Sequence, residues 1–212
     1  MQNTLIGEPS LLLSAQRGDL EAFNELVLMY QDTLFRTALS ILGDEDAAAD
    51  ATQDAFISAF RNLRSFRGGS FRSWLTRVTV NACYDQLRRL RRHPTLALEP
   101  AGTSERELDS ASWLADPNEL PHDQAEAHEL EKAIQRGLQN LDPKYRSVAV
   151  LVDVQEFSYE EAAEILNIPV GTVKSRLARA RLALRTYLGK FPDLLPWDIQ
   201  QTPDMAYLEE LL

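Results

Sequence analysis

SYEEAAEILNIPVGTVKSRLARARLALR, residues 158–185, decides the fold of this chain. It opens with Ser158 and, three residues on, Glu161, the capping box that starts a helix. A short helix to Leu166 follows, then the tight link Asn167-Ile168-Pro169; asparagine tolerates a left-handed turn conformation. A second helix is predicted from about Val170 to Leu188. Val173, Leu177, Ala180 and Leu184 hold it to a core at steps of three and four. That leaves Thr172, Ser175, Arg176 and Arg179 on one outward stripe, with Lys174, Arg181 and Arg185 beside it. A short helix, a tight turn and a longer basic helix make a DNA-reading helix-turn-helix. Its first residues enter the major groove, where arginine grips guanine through two hydrogen bonds. Later arginines hold phosphates. A basic surface helix of an ordinary bundle is the plainer alternative, and the capping box and turn argue against it.

Upstream, residues 124–157 continue the helical pattern. Ile134, Leu138 and Leu141 end one helix; Asp142-Pro143 caps the next with proline at its first position; Tyr145, Val148, Ala149 and Val152 extend the core. Residues 10–92 form another helical unit. Asp19 caps a helix with Leu20, Phe23, Leu26, Val27, Tyr30 and Leu34 on its apolar face. Gly43 breaks it, and Asp44 caps a helix burying Ala48, Ala55, Phe56, Ala59, Phe60 and Leu63. After the turn Arg67–Ser70, a third long helix sets Phe71, Trp74, Leu75, Val78 and Ala82 on one face. No strand alternation appears. The predicted class is all-α: two small helical domains, 10–92 and 124–190, joined by a flexible linker.

That linker, 93–123, holds Pro94, Pro100, Pro117 and Pro121 among Ser, Thr, Asp and Glu. Extended at ~3.3 Å per residue it reaches on the order of 100 Å, enough to let the domains stand far apart. Residues 191–212 form a separate acidic tail, expected to contact the basic recognition helix or a regulatory partner.

The net charge of −10 hides a segregation. Residues 61–92 carry nine arginines and one acid, Asp85; residues 172–190 carry six basic residues and no acid. Residues 96–127 carry eight acids against Arg106, and the tail five acids and no base. Two basic zones set apart by acidic segments suit a polyanion binder with two sites.

In the first domain Asp46, Asp50, Gln53 and Asp54 share a helix face beside Phe56 and Ile57. Taken alone that face is solvated surface; with a basic helical partner it is a dock. The third helix mixes Phe66, Phe71, Trp74 and Tyr84 with Arg67, Arg72, Arg77, Arg88 and Arg89. Aromatics stack on unpaired bases while arginines hold phosphates, the chemistry of single-strand binding. Arg77, Asn81 and Arg88 share an outward stripe with Tyr84 and Asp85 beside it, and a base flipped from the duplex needs such a polar pocket. Trp74 reads as core.

Other classes find no support. A single cysteine, Cys83, allows no internal disulfide, and the three histidines have no ligand spacing. No apolar run approaches a membrane span and no secretory signal is visible, so a cytoplasmic protein is expected. No phosphate loop or nucleophile–base pair suggests an enzyme, and no cofactor or metal is expected.

Three stretches, 46–69, 70–92 and 141–185, resemble an extracytoplasmic-function sigma factor, and their order makes the likeness specific. The resemblance implies that Asp46, Asp50, Gln53, Asp54, Phe56 and Ile57 meet core RNA polymerase. It implies that Phe66, Arg67, Arg72, Arg77, Asn81, Tyr84, Arg88 and Arg89 handle the −10 element, with Asn81 accepting a flipped base. Thr172, Lys174, Ser175, Arg176, Arg179 and Arg181 would face the −35 groove of promoter DNA. An acidic linker threading polymerase channels and an anti-sigma partner, which can be membrane-bound, are further implications. The tail of about twenty residues departs from the family pattern. A stand-alone helix-turn-helix regulator is the competing reading; it leaves the first domain unexplained.

Overall fold

The computed structural model describes residues 7–92 and 121–191. Every regular element among them is helical: α1 Glu8–Gln16, α2 Leu20–Leu42, α3 Glu45–Asn62, α4 Phe71–Arg92, α5 Pro121–Gln139, α6 Pro143–Ala149, α7 Tyr159–Leu166 and α8 Val170–Leu188. A single π-helical turn, Val150–Val154, continues α6. Helix α5 starts at Pro121, so the last three residues assigned to the linker are helix. The rest of the linker, and the tail beyond Phe191, lie outside the described residues.

The helix starts follow local chemistry. Asp19 accepts hydrogen bonds from the amides of Glu21 and Ala22, and Asp44 from that of Ala47. Each satisfies amides that the first turn leaves without an intrahelical partner. Asp142 does the same for Lys144, ahead of Pro143. Helix α2 ends at Gly43, whose φ of 75° is left-handed. Glycine suits that conformation, and a Cβ there would stand 2.3 Å from Cδ of Gln139 in α5, so a larger residue would have to displace that side chain.

Helices α1 to α4 enclose one apolar cluster, with Leu26, Leu34, Ala59, Leu63, Phe71 and Leu75 at its centre. Each such leucine contributes about 1.5–3 kcal/mol by leaving water. Leu20, expected in this core, is 59% exposed, because it lies at the first position of α2, beyond the packed stretch. Phe60 is also exposed at one edge, its ring tilted on Phe23 at 5.0 Å. On α4 the buried face is Phe71, Leu75, Thr79, Val80 and Cys83, with Val78 and Ala82 only half-buried.

The second cluster crosses the chain. Ala38, Ile41, Ala48, Ala51, Val80 and Cys83 of the first unit pack with Leu138, Leu141, Val148, Leu151, Phe157 and the inner face of α8. The two helical units therefore share a core instead of standing apart at the ends of a tether. Arg146 fastens the junction. Its buried guanidinium donates to the carbonyls of Ile41 in α2, Gln139 (2.7 Å) and Leu141 (3.0 Å), and to Oε1 of Gln139. The carbonyl ends of α2 and α5 carry partial negative charge, which offsets the cost of burying this cation. Burial pushes the Arg146 pKa down.

Candidate nucleic-acid interface

The recognition unit is built from its caps. Ser158 accepts from the Glu161 amide (3.2 Å), and Glu161 Oε2 accepts from the Ser158 amide (3.0 Å), completing the capping box. These bonds hold the Glu161 carboxyl below its ordinary range, the Ser158 amide being the largest cause. Asn167 closes α7 with φ 52° and ψ 51°, and its amide bonds back into the helix. Helix α8 then runs from Val170, held by Val173, Leu177, Ala180 and Leu184, all buried.

On the outer side of α8, Lys174, Ser175 and Arg179 are exposed, and Thr172 and Arg176 are half-buried. Ser175 Oγ donates to the Thr172 carbonyl within the helix. Lys174 stands over the Tyr159 ring at 5.7 Å. Arg179 donates to the Tyr145 hydroxyl at 3.2 Å, and that bond lowers the Tyr145 pKa. Tyr145, expected in the core, is thus half-buried with its hydroxyl beside the basic face.

Arg181 is a correction. Grouped with the groove-facing residues in sequence, it is 8% exposed and turned inward. Its guanidinium donates to both carboxylate oxygens of Asp153, at 2.7 and 3.3 Å. The reason is helical phase: four residues after Leu177 and three before Leu184, Arg181 lies on the flank of the buried stripe. It clamps α8 to the π-helical turn and faces no groove.

On α3, Asp46, Asp50, Gln53, Asp54 and Ile57 are exposed together, and Phe56 packs half-buried on the first cluster. Asp54 approaches Arg89 of α4 at 3.9 Å across a solvated surface.

Along α4, Arg77, Asn81, Arg88 and Arg89 are exposed, as is Arg67 in the preceding loop. Arg88 pairs with Asp85 at 2.9 Å. Phe66 stands 5.5 Å from both Phe71 and Trp74, and Trp74 stacks on Phe71 at 5.6 Å, so these rings first of all pack on one another. Two candidates turn toward the second unit. Arg72 Nη2 donates to the Gln155 carbonyl at 2.6 Å, with its guanidinium over the Phe157 ring at 4.4 Å. The Tyr84 hydroxyl lies 2.9 Å from Ser147 Oγ. Ser147 already donates to the Pro143 carbonyl, so Tyr84 is the donor.

Sequence reading missed Asp153 and Arg146, and gave Tyr145 to the core without its bond to Arg179. Tyr145 and Arg179 are 34 positions apart, and no local signal joins them. Among the described residues no cluster of His, Cys, Asp and Glu could hold a metal ion. No described helix is long and apolar enough to cross a membrane.

Comparison with known proteins agrees with this arrangement. Residues 26–93 match the family model for Sigma-70 region 2, and residues 131–184 that for Sigma-70 region 4. The extracytoplasmic-function (ECF) sigma factor SigW of Bacillus subtilis is 39% identical over 174 residues, covering 82% of this chain and 92% of that protein. SigM of Mycobacterium tuberculosis H37Rv, another ECF sigma factor, is 36% identical over 186 residues, covering 86% and 85%. Among solved structures, CnrH in complex with the cytosolic domain of CnrY superposes with a TM-score of 0.61 at 27% identity, covering 85% of this chain and 96% of that one. The sigma factor RpoE of Bartonella quintana, in complex with the anti-sigma factor NepR, gives 0.58 at 26%, covering 79% and 96%. A stand-alone regulator would account for the second match and leave the first without meaning. With both regions matched in order and 39% identity over most of two chains, this protein belongs to the ECF sigma factors, which confer promoter recognition on RNA polymerase and promote strand opening.

Proposed function

We propose how this sigma factor divides the work among its residues. Asp46, Asp50, Gln53, Asp54, Phe56 and Ile57 dock the first unit on core polymerase. Thr172, Lys174, Ser175, Arg176 and Arg179 meet the −35 duplex. Arg67, Arg77, Asn81, Arg88 and Arg89 receive the opened −10 strand, joined by Phe66, Arg72 and Tyr84 once these are released from their packing. The chain catalyses no bond formation; that chemistry belongs to the polymerase. Contacts to unpaired bases exist only after opening, so their binding energy favours the melted state.

The observation that carries this reading is the outward set on α8, where polar and basic side chains share one face while Val173, Leu177, Ala180 and Leu184 are buried opposite. We also infer an anti-sigma partner, supported by the complexes in which CnrH and the Bartonella RpoE are seen, and a cytoplasmic location. Run-off transcription with core polymerase over a library of promoter sequences tests the assignment. A selected −35 and −10 pair is the expected result. Arg176→Ala with unchanged base preference at −35 would remove Arg176 from the reading set.

A further inference from the structure

Gln16, the last residue of α1, reaches across the chain to the turn that follows α3. It is half-buried, and its Nε2 donates to the carbonyls of Leu63 (3.1 Å) and Phe66 (2.9 Å), 47 and 50 positions away. A side-chain amide nitrogen carries two N–H donors, and here it meets two main-chain acceptors. The Leu63 carbonyl also accepts from the Phe66 amide at 3.1 Å, so the 3-10 turn Leu63–Ser65 is closed from within and held again from outside. Helix α1 can act as that outside support because it is itself fixed. Leu11, Leu12 and Ala15 are buried in the first cluster, and Glu8 accepts from the Tyr30 hydroxyl. Past Phe66 the packing stops. Residues 67–70 are exposed, Gly68 and Gly69 are left-handed (φ 104° and 91°), and a Cβ on either would meet nothing within 4 Å. Ser70 ends the loop, its Oγ accepting from the Ser73 amide at 3.1 Å. The loop is thus anchored by Gln16 at Phe66 and by the Ser70 cap at α4, with open space around the glycines between.

We propose that Gln16 is a positioning residue for −10 recognition: it fixes the main chain from which Phe66 and Arg67 are presented to the opened strand. The proposal rests on the reading of those two residues as −10 contacts. The Phe66 ring packs on Phe71 and Trp74, and it reaches a base by rotating about its own side-chain bonds. Such a rotation ends in a defined place only if the backbone beneath it stays still. Without Gln16 the Phe66 carbonyl loses its donor, and the glycines two and three residues on leave the chain many conformations. Holding a strand would then require ordering the loop first, a cost that preorganisation removes. The preferred base suffers most from that loss, because its contacts depend on a settled geometry, whereas a mismatched base has fewer contacts to lose. The consequence is a flatter preference at −10, with the preference at −35, assigned to α8, unchanged.

The test is run-off transcription by holoenzyme assembled with the full chain, over promoter libraries randomised at −10 or at −35. Gln16→Met keeps the length of the side chain and removes both donors. It should reduce discrimination among −10 bases on the order of three- to tenfold, the net worth of about one hydrogen bond, and leave the −35 profile as in the parent. Urea unfolding checks that the variant is folded. If it is not, Gln16→Glu takes its place, keeping the size while setting a carboxylate against two carbonyls. In a chain that already carries Phe66→Ala and Arg67→Ala, Gln16→Met should cost nothing further at −10, since the side chains it serves are gone. An unchanged −10 profile in Gln16→Met, an equal loss at −10 and −35, or a full additional loss in the Phe66→Ala, Arg67→Ala chain would each overturn the positioning role. That double variant also separates the two ideas. A flattened −10 profile there beside an intact one in Gln16→Met removes Gln16 alone. An intact −10 profile in the double variant removes Phe66 and Arg67 from the −10 set, and Gln16 with them.

Discussion

Helices α4 and α8 are the two basic helices of the molecule, and they present their charge differently. On α8 the polar and basic set faces outward, and the one arginine directed inward, Arg181, is matched by a buried carboxylate. On α4 the exposed stripe of Arg77, Asn81 and Arg88 coexists with Arg72 and Tyr84, which are engaged by the second unit. Under the proposed division of work, the helix assigned to duplex DNA is presented ready-made. The helix assigned to the opened strand has Arg72 and Tyr84 engaged within the chain. Duplex is available from the first encounter, whereas an unpaired strand exists only after opening.

The largest effect should come from the clamp behind α8. Asp153→Ala leaves the Arg181 charge buried without its carboxylate and should cost about 3–5 kcal/mol in urea unfolding, while Asp153→Leu combined with Arg181→Leu recovers much of that. A single variant as stable as the parent would mean that Arg181 escapes to solvent and that α8 is no cleaner than α4. Next comes base reading. Arg176→Ala should weaken binding to the preferred −35 duplex by about 1–3 kcal/mol, measured on holoenzyme, and relax choice at one base position. Asn81→Ala should instead impair selection at −10 more than duplex binding; equal losses at both elements would erase the distinction between the helices. Ser158→Ala should cost about 0.5–2 kcal/mol through the start of α7. Because folding depresses the Glu161 pKa, its contribution is complete above the unfolded carboxyl value of about 4.3 and is lost as pH falls through the lower folded value. The gap between parent and Ser158→Ala should accordingly narrow in acid, as followed by melting at stepped pH. The smallest effect is expected from Asp85→Ala. It breaks an exposed pair with Arg88 and should change stability by no more than about 1 kcal/mol.

What could be read from sequence was whatever is decided within one helical turn. Asp19, Asp44, Asp142 and Ser158 cap helices because the group they satisfy is two or three residues away. Asn167 sits left-handed because the link after α7 demands it. Phase at the edge of a stripe was harder. Arg179 and Arg181 differ by two positions, and one faces solvent while the other meets Asp153, 28 residues away. The seam between the units was not legible at all. Apolar positions such as Ile41, Val80 and Leu138 announce burial, but nothing in their periodicity says whose core they join. Arg146 left no signal for a related reason: most of its acceptors are main-chain carbonyls, which every residue possesses.

Cys83 lies wholly buried in the core the two units share, and burial pushes its thiol pKa up to about 12. The thiolate is the form that attacks alkylating reagents and peroxides, so at neutral pH this buried sulfur is chemically silent in the packed state. Its modification can proceed only through transient exposure. The unaltered protein therefore carries its own stopwatch: under gentle conditions, the pace at which Cys83 is consumed counts the moments when that core comes apart.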